Sequence, residues 1–174
     1  TSIYTVLDKT MIGVITQNAN ENGYYEQATK IINILKSITF TALNSVLGAR
    51  IAYLFSEKKY DEIKSRIALS LDFIFFIGMA FFFGLLSVSK TFVPIFFGQG
   101  YDQVIYLLYV FSPIVVIIGV SNCLGSQYYT PAGLRSQSAK YIIIGSVLNL
   151  LLNLVFIPVF RSKGAVISSV LAEL

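Results

Sequence analysis

The residues able to do chemistry are few, and most of them fall inside apolar stretches. Between positions 24 and 55, Glu26, Lys30, Asn33, Ser37, Thr41, Asn44 and Gly48 follow one another at spacings of 4, 3, 4, 4, 3 and 4. At 3.6 residues per turn this is one helical face, flanked by Lys36 and Ser45, with Ile31, Ile32, Ile34, Leu35, Ile38, Phe40, Leu43 and Val46 on the other sides. Asp8 and Lys9 adjoin in an earlier apolar run. Ser146, Asn149 and Asn153, spaced by 3 and 4, make a second, shorter polar face. Ammonium groups and amides arranged this way can hold an anion, a phosphate above all. They do not make a catalytic set. The chain has no His, which excludes Ser–His and Cys–His nucleophilic pairs and His-ligated metals. Its single Cys123 reads as a small core residue. No paired carboxylates, phosphate loop or metal-ligand spacing is present, so the expectation is no enzyme, no metal and no cofactor.

A stripe of this kind needs a helix to carry it and a medium that makes it expensive. Of 174 residues, 55% are hydrophobic, 14% aromatic and only 13% charged. The charged fraction is about half that of ordinary soluble domains, and the mean hydropathy is +0.71. A short chain has a large surface for its volume, and these charges are too few to cover it in water. The expected solvent is a lipid bilayer. The net charge of +4 comes without a basic block interleaved with aromatics, so nucleic acid is not an expected partner. The chain opens on Thr1 with no signal-peptide pattern before position 30 and stops inside an apolar run at Leu174. It reads as a piece of a longer membrane protein.

Crossing about 30 Å of hydrocarbon takes roughly 20 apolar residues. The hydropathy pattern predicts an all-α polytopic transmembrane bundle with helices over 1–16, 24–55, 67–88, 103–127, 139–159 and 165–174, the first and last incomplete. Gln17 to Gly23 has turn composition. Ser56 to Arg66 is charged and reads as an amphipathic helical hairpin between spans. Segment 67–88 is the clearest span, with one charge, Asp72. Pro113 falls near the middle of 103–127 and should kink it. Alternate breaks carry six basic residues on one side (56–66 and 128–140) and three on the other (17–23, 89–102 and 160–164). The positive-inside rule makes the first side cytoplasmic.

An unpaired polar group in hydrocarbon costs several kcal/mol, so the stripe should face a partner helix or a water-filled cavity. Ser37, Thr41, Asn44 and Gly48 suit a helix contact. Lys30 and Lys36 suit a transport pathway, although Lys30 also suits an i,i+4 pair with Glu26 or snorkelling to the interface. Asp8 and Lys9 lie about 12 Å below the end of their helix near Thr16 and suit either a cavity or a neighbouring helix. Asn149 and Asn153 read first as interhelical hydrogen bonding. Asp72 suits a cation site or a base such as Arg50, itself placed to snorkel.

The stretches Tyr4-Thr5-Val6-Leu7-Asp8-Lys9-Thr10-Met11-Ile12-Gly13 and Gly23-Tyr24-Tyr25-Glu26-Gln27-Ala28-Thr29-Lys30-Ile31-Ile32 resemble the start of the second half of Wzx-like polysaccharide flippases, within the MATE-like superfamily. Phe97-Gly98-Gln99-Gly100-Tyr101, Asn149-Leu150-Leu151-Leu152-Asn153 and Gly164-Ala165-Val166-Ile167-Ser168-Ser169 resemble the same family in the same order. The resemblance implies part of the second six-helix lobe of a two-lobe, multi-pass transporter of the cytoplasmic membrane. It would move undecaprenyl-pyrophosphate-linked oligosaccharide units outward for capsule, O-antigen or exopolysaccharide assembly. The partners implied are the bilayer, the lipid-linked pyrophosphate cargo, a coupling cation and a polysaccharide polymerase. Asp8, Lys9 and Lys30 fall in the matching motifs, whereas Lys36 rests on the helical-face argument alone. The alternatives are a drug/cation antiporter of the same superfamily, which would use acidic cavity residues, and a membrane-embedded polymerase, for which the loops are short.

Overall fold

A computed structural model describes the backbone of residues 2–174 and the side chains of residues 5–40, 43 and 47–174. Among the described residues the chain is all-α. The helices are α1 (Ser2–Thr16), α2 (Ala19–Ser56), α3 (Tyr60–Phe97), α4 (Asp102–Phe111), α5 (Ile114–Cys123), α6 (Arg135–Phe160) and α7 (Ser162–Glu173). A π-helical turn, Leu124–Tyr129, extends α5. The core runs through the middle of the bundle, where Ile12, Tyr25, Ala28 and Ile32 meet Val104, Leu107, Leu108 and Phe111, with Ile157, Ala165 and Val166 closing it.

The exterior is as apolar as the core. Phe76 is 74% exposed and Ile95 80%, and Ile142, Ile143, Ile144, Val147, Leu151 and Val155 make an outward face on α6. Two helices, α3 and α6, are long and apolar enough to cross a membrane, and the α4–α5 pair, bent by 41°, supplies a third length if taken as one span. Apolar outward faces of this extent match a hydrocarbon solvent. The chain is a membrane protein. At 38 residues α2 equals α3 in length, but its polar stripe keeps it from the apolarity of a simple span.

Local chemistry fixes the joints. Asn18 caps α2, its side chain accepting from Asn20 N–H at 2.9 Å. At the far end of α2, Lys58 N–H donates to Phe55 O at 3.2 Å and Lys59 N–H to Leu54 O at 3.1 Å. This is a Schellman closure, with Lys58 at φ 57° in the left-handed position that Gly usually takes. In the 98–100 turn, Gly98 and Gly100 do supply the positive φ, at 84° and 94°. Pro113 has no N–H for Tyr109 O four residues back. The Ser112 hydroxyl donates to that carbonyl instead, at 2.7 Å, so the bend leaves it satisfied. The α3–α5 crossing is close because Gly78 lies against Val116 and Gly119 against Ile74: an added Cβ would meet their methyls at 2.8 and 2.5 Å. Small residues at crossings are the usual route to close helix contact in lipid.

Three boundaries differ from the sequence expectation. The Gln17–Gly23 stretch is helical from Ala19 on, because Asn18 acts as a cap rather than as part of a long turn. The 56–66 stretch is helical as expected but is no separate hairpin: the Schellman closure confines the turn to residues 57–59, and the rest is continuous with the span expected at 67–88, which runs over Tyr60–Phe97. The helix expected over 139–159 starts four residues earlier, at Arg135, and passes Pro158 to end at Phe160.

Candidate functional site

Asp8 is fully buried between α1, α2, α6 and α7. Its Oδ2 accepts from the Tyr25 hydroxyl at 2.5 Å and the Ser169 hydroxyl at 2.5 Å, and its Oδ1 accepts from Asn153 Nδ2 at 2.6 Å. Asn153 Nδ2 also reaches Asn149 Oδ1 at 3.2 Å, and Asn149 Nδ2 donates to Ser169 Oγ at 3.4 Å. The buried Asn153 Oδ1 has no hydrogen-bond partner. Three side chains from three other helices, Tyr25, Asn153 and Ser169, therefore donate to one carboxylate, Asn149 braces two of them, and every donor is neutral. Hydrogen bonds to a carboxylate are of the strong class when it is ionised, and among the described residues no cation forms an ion pair with this one.

The helices make this convergence necessary. Asp8 sits on the inward face of α1, with Ile12 one turn on. Tyr25 faces it from the second turn of α2, which starts at Ala19 just after the α1–α2 turn. Asn149 and Asn153, one turn apart, occupy the narrow inward face of α6, and Ser169 comes back along α7. Arg161 alone joins α6 to α7, at φ 55°. Gly164 lies against the Phe156 backbone, where a Cβ would stand 2.2 Å from the carbonyl oxygen. The two helices run back along each other closely enough for Asn149 and Ser169 to meet.

A second, open group lies on α1 and α2. Lys9 Nζ stands 3.4 Å from Glu26 Oε2 and Lys30 Nζ 3.2 Å from Glu26 Oε1, with side chains 37%, 59% and 43% exposed for Lys9, Lys30 and Glu26. Two cations share one carboxylate, so the trio keeps a net positive charge. Asn33 and Ser37 continue this exposed face, Ser37 donating to its own helix at Ile34 O, 2.8 Å away. Lys36 is separate and half-buried. It lines a cavity of about 20 Å³ with Tyr25, Thr29, Ser169 and Glu173, room for about one water molecule. Thr41 and Asn44 lie outside the described side chains. The predicted residues thus fall into a closed group (Asp8, Asn149, Asn153), an open one (Lys9, Glu26, Lys30, with Asn33 and Ser37 beyond) and Lys36 alone. The i,i+4 pairing of Lys30 with Glu26 is present, and it is shared with Lys9.

Several polar partners were not singled out in the sequence. Tyr25 and Ser169 complete the Asp8 node, and the signal was a buried-looking carboxylate that had to find donors. Glu21 is buried at the start of α2, where its Oε2 accepts from Ser162 Oγ at 2.5 Å and Ser162 N at 3.2 Å, and Arg161 Nη1 lies 3.7 Å from its Oε1. A carboxylate from one helix caps the N-terminus of another, a favourable charge–dipole arrangement. Gln127, in the π-helical turn, accepts from Ser70 at 2.7 Å while its Nε2 has no partner.

Apolar outside and polar at a few buried points, the bundle is that of an integral membrane protein. The chain belongs to the polysaccharide biosynthesis protein family, whose family model matches residues 1–106. It is similar to a putative O-antigen transporter of Escherichia coli (strain K12), with 29% identity over 153 residues, covering 87% of this chain and 36% of that protein. It is also similar to a probable low-salt glycan biosynthesis flippase of Haloferax volcanii, with 26% identity over 171 residues, covering 97% of this chain and 35% of that protein. The chain spans about a third of the length of these curated relatives. No solved structure matches it.

Proposed function

We propose that these residues form part of the second lobe of a multi-pass flippase of the cell membrane, one that carries undecaprenyl-pyrophosphate-linked oligosaccharide units outward. Family membership and the names of the two relatives support a transporter over an enzyme. The observation that carries the cargo reading is the Lys9–Glu26–Lys30 trio, a net cation on an open helix face that continues through Asn33 and Ser37. Such a face suits a pyrophosphate, and its opposite wall would come from the other lobe. An antiporter is less well supported, because Glu26 is already held by two lysines. The Asp8 node suits the coupling ion: a carboxylate, two amide oxygens and a hydroxyl make an all-oxygen set for a small cation or a proton, and the unpartnered Asn153 Oδ1 beside Asp8 favours this second role. On the basic-residue count, the α2–α3 turn and the 128–140 turn are cytoplasmic. A polysaccharide polymerase would act on the delivered units.

The test is polysaccharide export by the full-length protein, at matched membrane levels, in a double-mutant cycle. Lys30→Gln should abolish most export, and Lys30→Arg should retain more of it. Glu26→Gln, which frees two cations, should be milder than Lys30→Gln. Recovery in the Glu26→Gln/Lys30→Gln double variant would reduce Lys30 to a structural partner and defeat the cargo role.

A further inference from the structure

One cavity lies away from both polar groups. It has a volume of about 830 Å³ and sits where the α2–α3 turn meets the π-helical turn and the 130–132 stretch. This is the size range of small-molecule sites. Phe55, Ile67, Leu71 and Tyr128 form its apolar floor, and Lys58 and Lys64 stand among its lining residues. Both lysines are exposed, and among the described residues neither forms an ion pair, whereas Lys59 between them in sequence is 3.8 Å from Glu62. The cavity therefore offers two free ammonium groups over an apolar floor. That floor adjoins the outward apolar side of α3, where Leu69 and Phe73 are exposed.

We infer that this cavity binds an anionic glycerophospholipid of the leaflet on the α2–α3 turn side. The headgroup phosphate lies between Lys58 and Lys64. One acyl chain covers Ile67 and Leu71 and leaves along the apolar flank of α3. Charge complementarity selects an anionic headgroup, since basic pockets at the cytoplasmic ends of spanning helices attract such lipids. The cavity's apolar floor and its place at the α2–α3 turn distinguish it from the cargo face of α1 and α2. The site would anchor the turn end of the α2–α3 hairpin at the membrane surface. This inference depends on the chain lying in a membrane and not on what it transports.

The measurement is native mass spectrometry of the full-length protein in mild detergent, with phosphatidylglycerol and phosphatidylcholine supplied in equal amounts. The parent should retain phosphatidylglycerol preferentially. Lys58→Gln/Lys64→Gln should weaken that retention about thirtyfold, from roughly fivefold per cation near a membrane surface. Lys59→Gln, whose ammonium is already paired, should change it by less than about twofold. Ala132→Phe, which narrows the cavity without changing charge, should lower retention of both lipids, and membrane level and thermal unfolding report that each variant still folds. Equal retention by the parent and the double lysine variant, or lipid still held by Ala132→Phe, would overturn the inference. So would displacement of phosphatidylglycerol by a small fraction of undecaprenyl phosphate, which would make this a cargo site.

Discussion

Tyr25→Phe tests whether Asp8 is a charged hub or an ordinary interhelical contact. Tyr25 is 2% exposed, its ring lies 5.9 Å from that of Phe111, and its hydroxyl donates to Asp8 at 2.5 Å. Phe keeps the ring and its packing, so no cavity complicates the reading. Asp8 keeps Ser169 and Asn153 but loses a third donor. A hydrogen bond to an ionised group contributes about 1.5–3 kcal/mol, whereas neutral interhelical bonds in membranes average about 0.6 kcal/mol. The two cases are separable. With Asp8 ionised, Tyr25→Phe should lower stability by about 2 kcal/mol, roughly thirtyfold in the folded-to-unfolded ratio. The assay is equilibrium unfolding of the full-length protein in mixed micelles titrated with sodium dodecyl sulfate. In an Asp8→Asn background the same substitution should cost only about 0.6 kcal/mol. A loss of about 0.6 kcal/mol in both backgrounds would refute the charged hub.

Further substitutions probe the joints. Gly164→Ala should prevent folding or lower the melting temperature strongly, since its Cβ would meet backbone atoms of Phe156 that cannot move aside as a side chain can; accumulation in the membrane and thermal unfolding both report it. Ser162→Ala, which removes a hydroxyl donor to the buried Glu21 carboxylate but keeps the backbone N–H bond, should cost about 1.5 kcal/mol, and Glu21→Gln, which can still accept there, should cost less; the same unfolding titration ranks them. Cysteines placed at the exposed Ser56 and Ser136 should resist an impermeant thiol reagent on intact cells, and one at the exposed Asn20 should react. The native Cys123 is buried and should stay silent. Labelling in the opposite pattern would invert the topology.

The all-α class was legible because 55% hydrophobic residues in runs of about 20 leave little alternative. The Pro113 bend was legible for the same local reason, a missing donor. The stripe on α2 was legible as a face but not as a site. Period places Glu26 and Lys30 together, yet Lys9 arrives from α1 through the angle between two helices, which no spacing encodes. Asp8 is the sharper case. Its residue type showed that it needed donors, but Tyr25, Asn153 and Ser169 lie 17, 145 and 161 residues away. The helical character of 56–66 was legible, but the extent of α3 was underestimated because its charges read as a separate hairpin when the closing hydrogen bonds of α2 are not known. Glu21 looked like turn composition because its partner, Ser162, is 141 residues distant.

The single-residue link at Arg161 has a mechanical consequence. A hairpin with no slack cannot let its two arms slide, so α6 and α7 move as one lever. That lever is fastened to α1 and α2 at two places, Ser162 to Glu21 and Ser169 to Asp8, about 10 Å apart along α7 at 1.5 Å per residue. One fastening would leave the lever free to swivel, and two remove that freedom. The four helices then turn together as a rigid plate. Any change of shape within these 174 residues is displaced onto α3, α4 and α5, whose joint already carries the 41° bend.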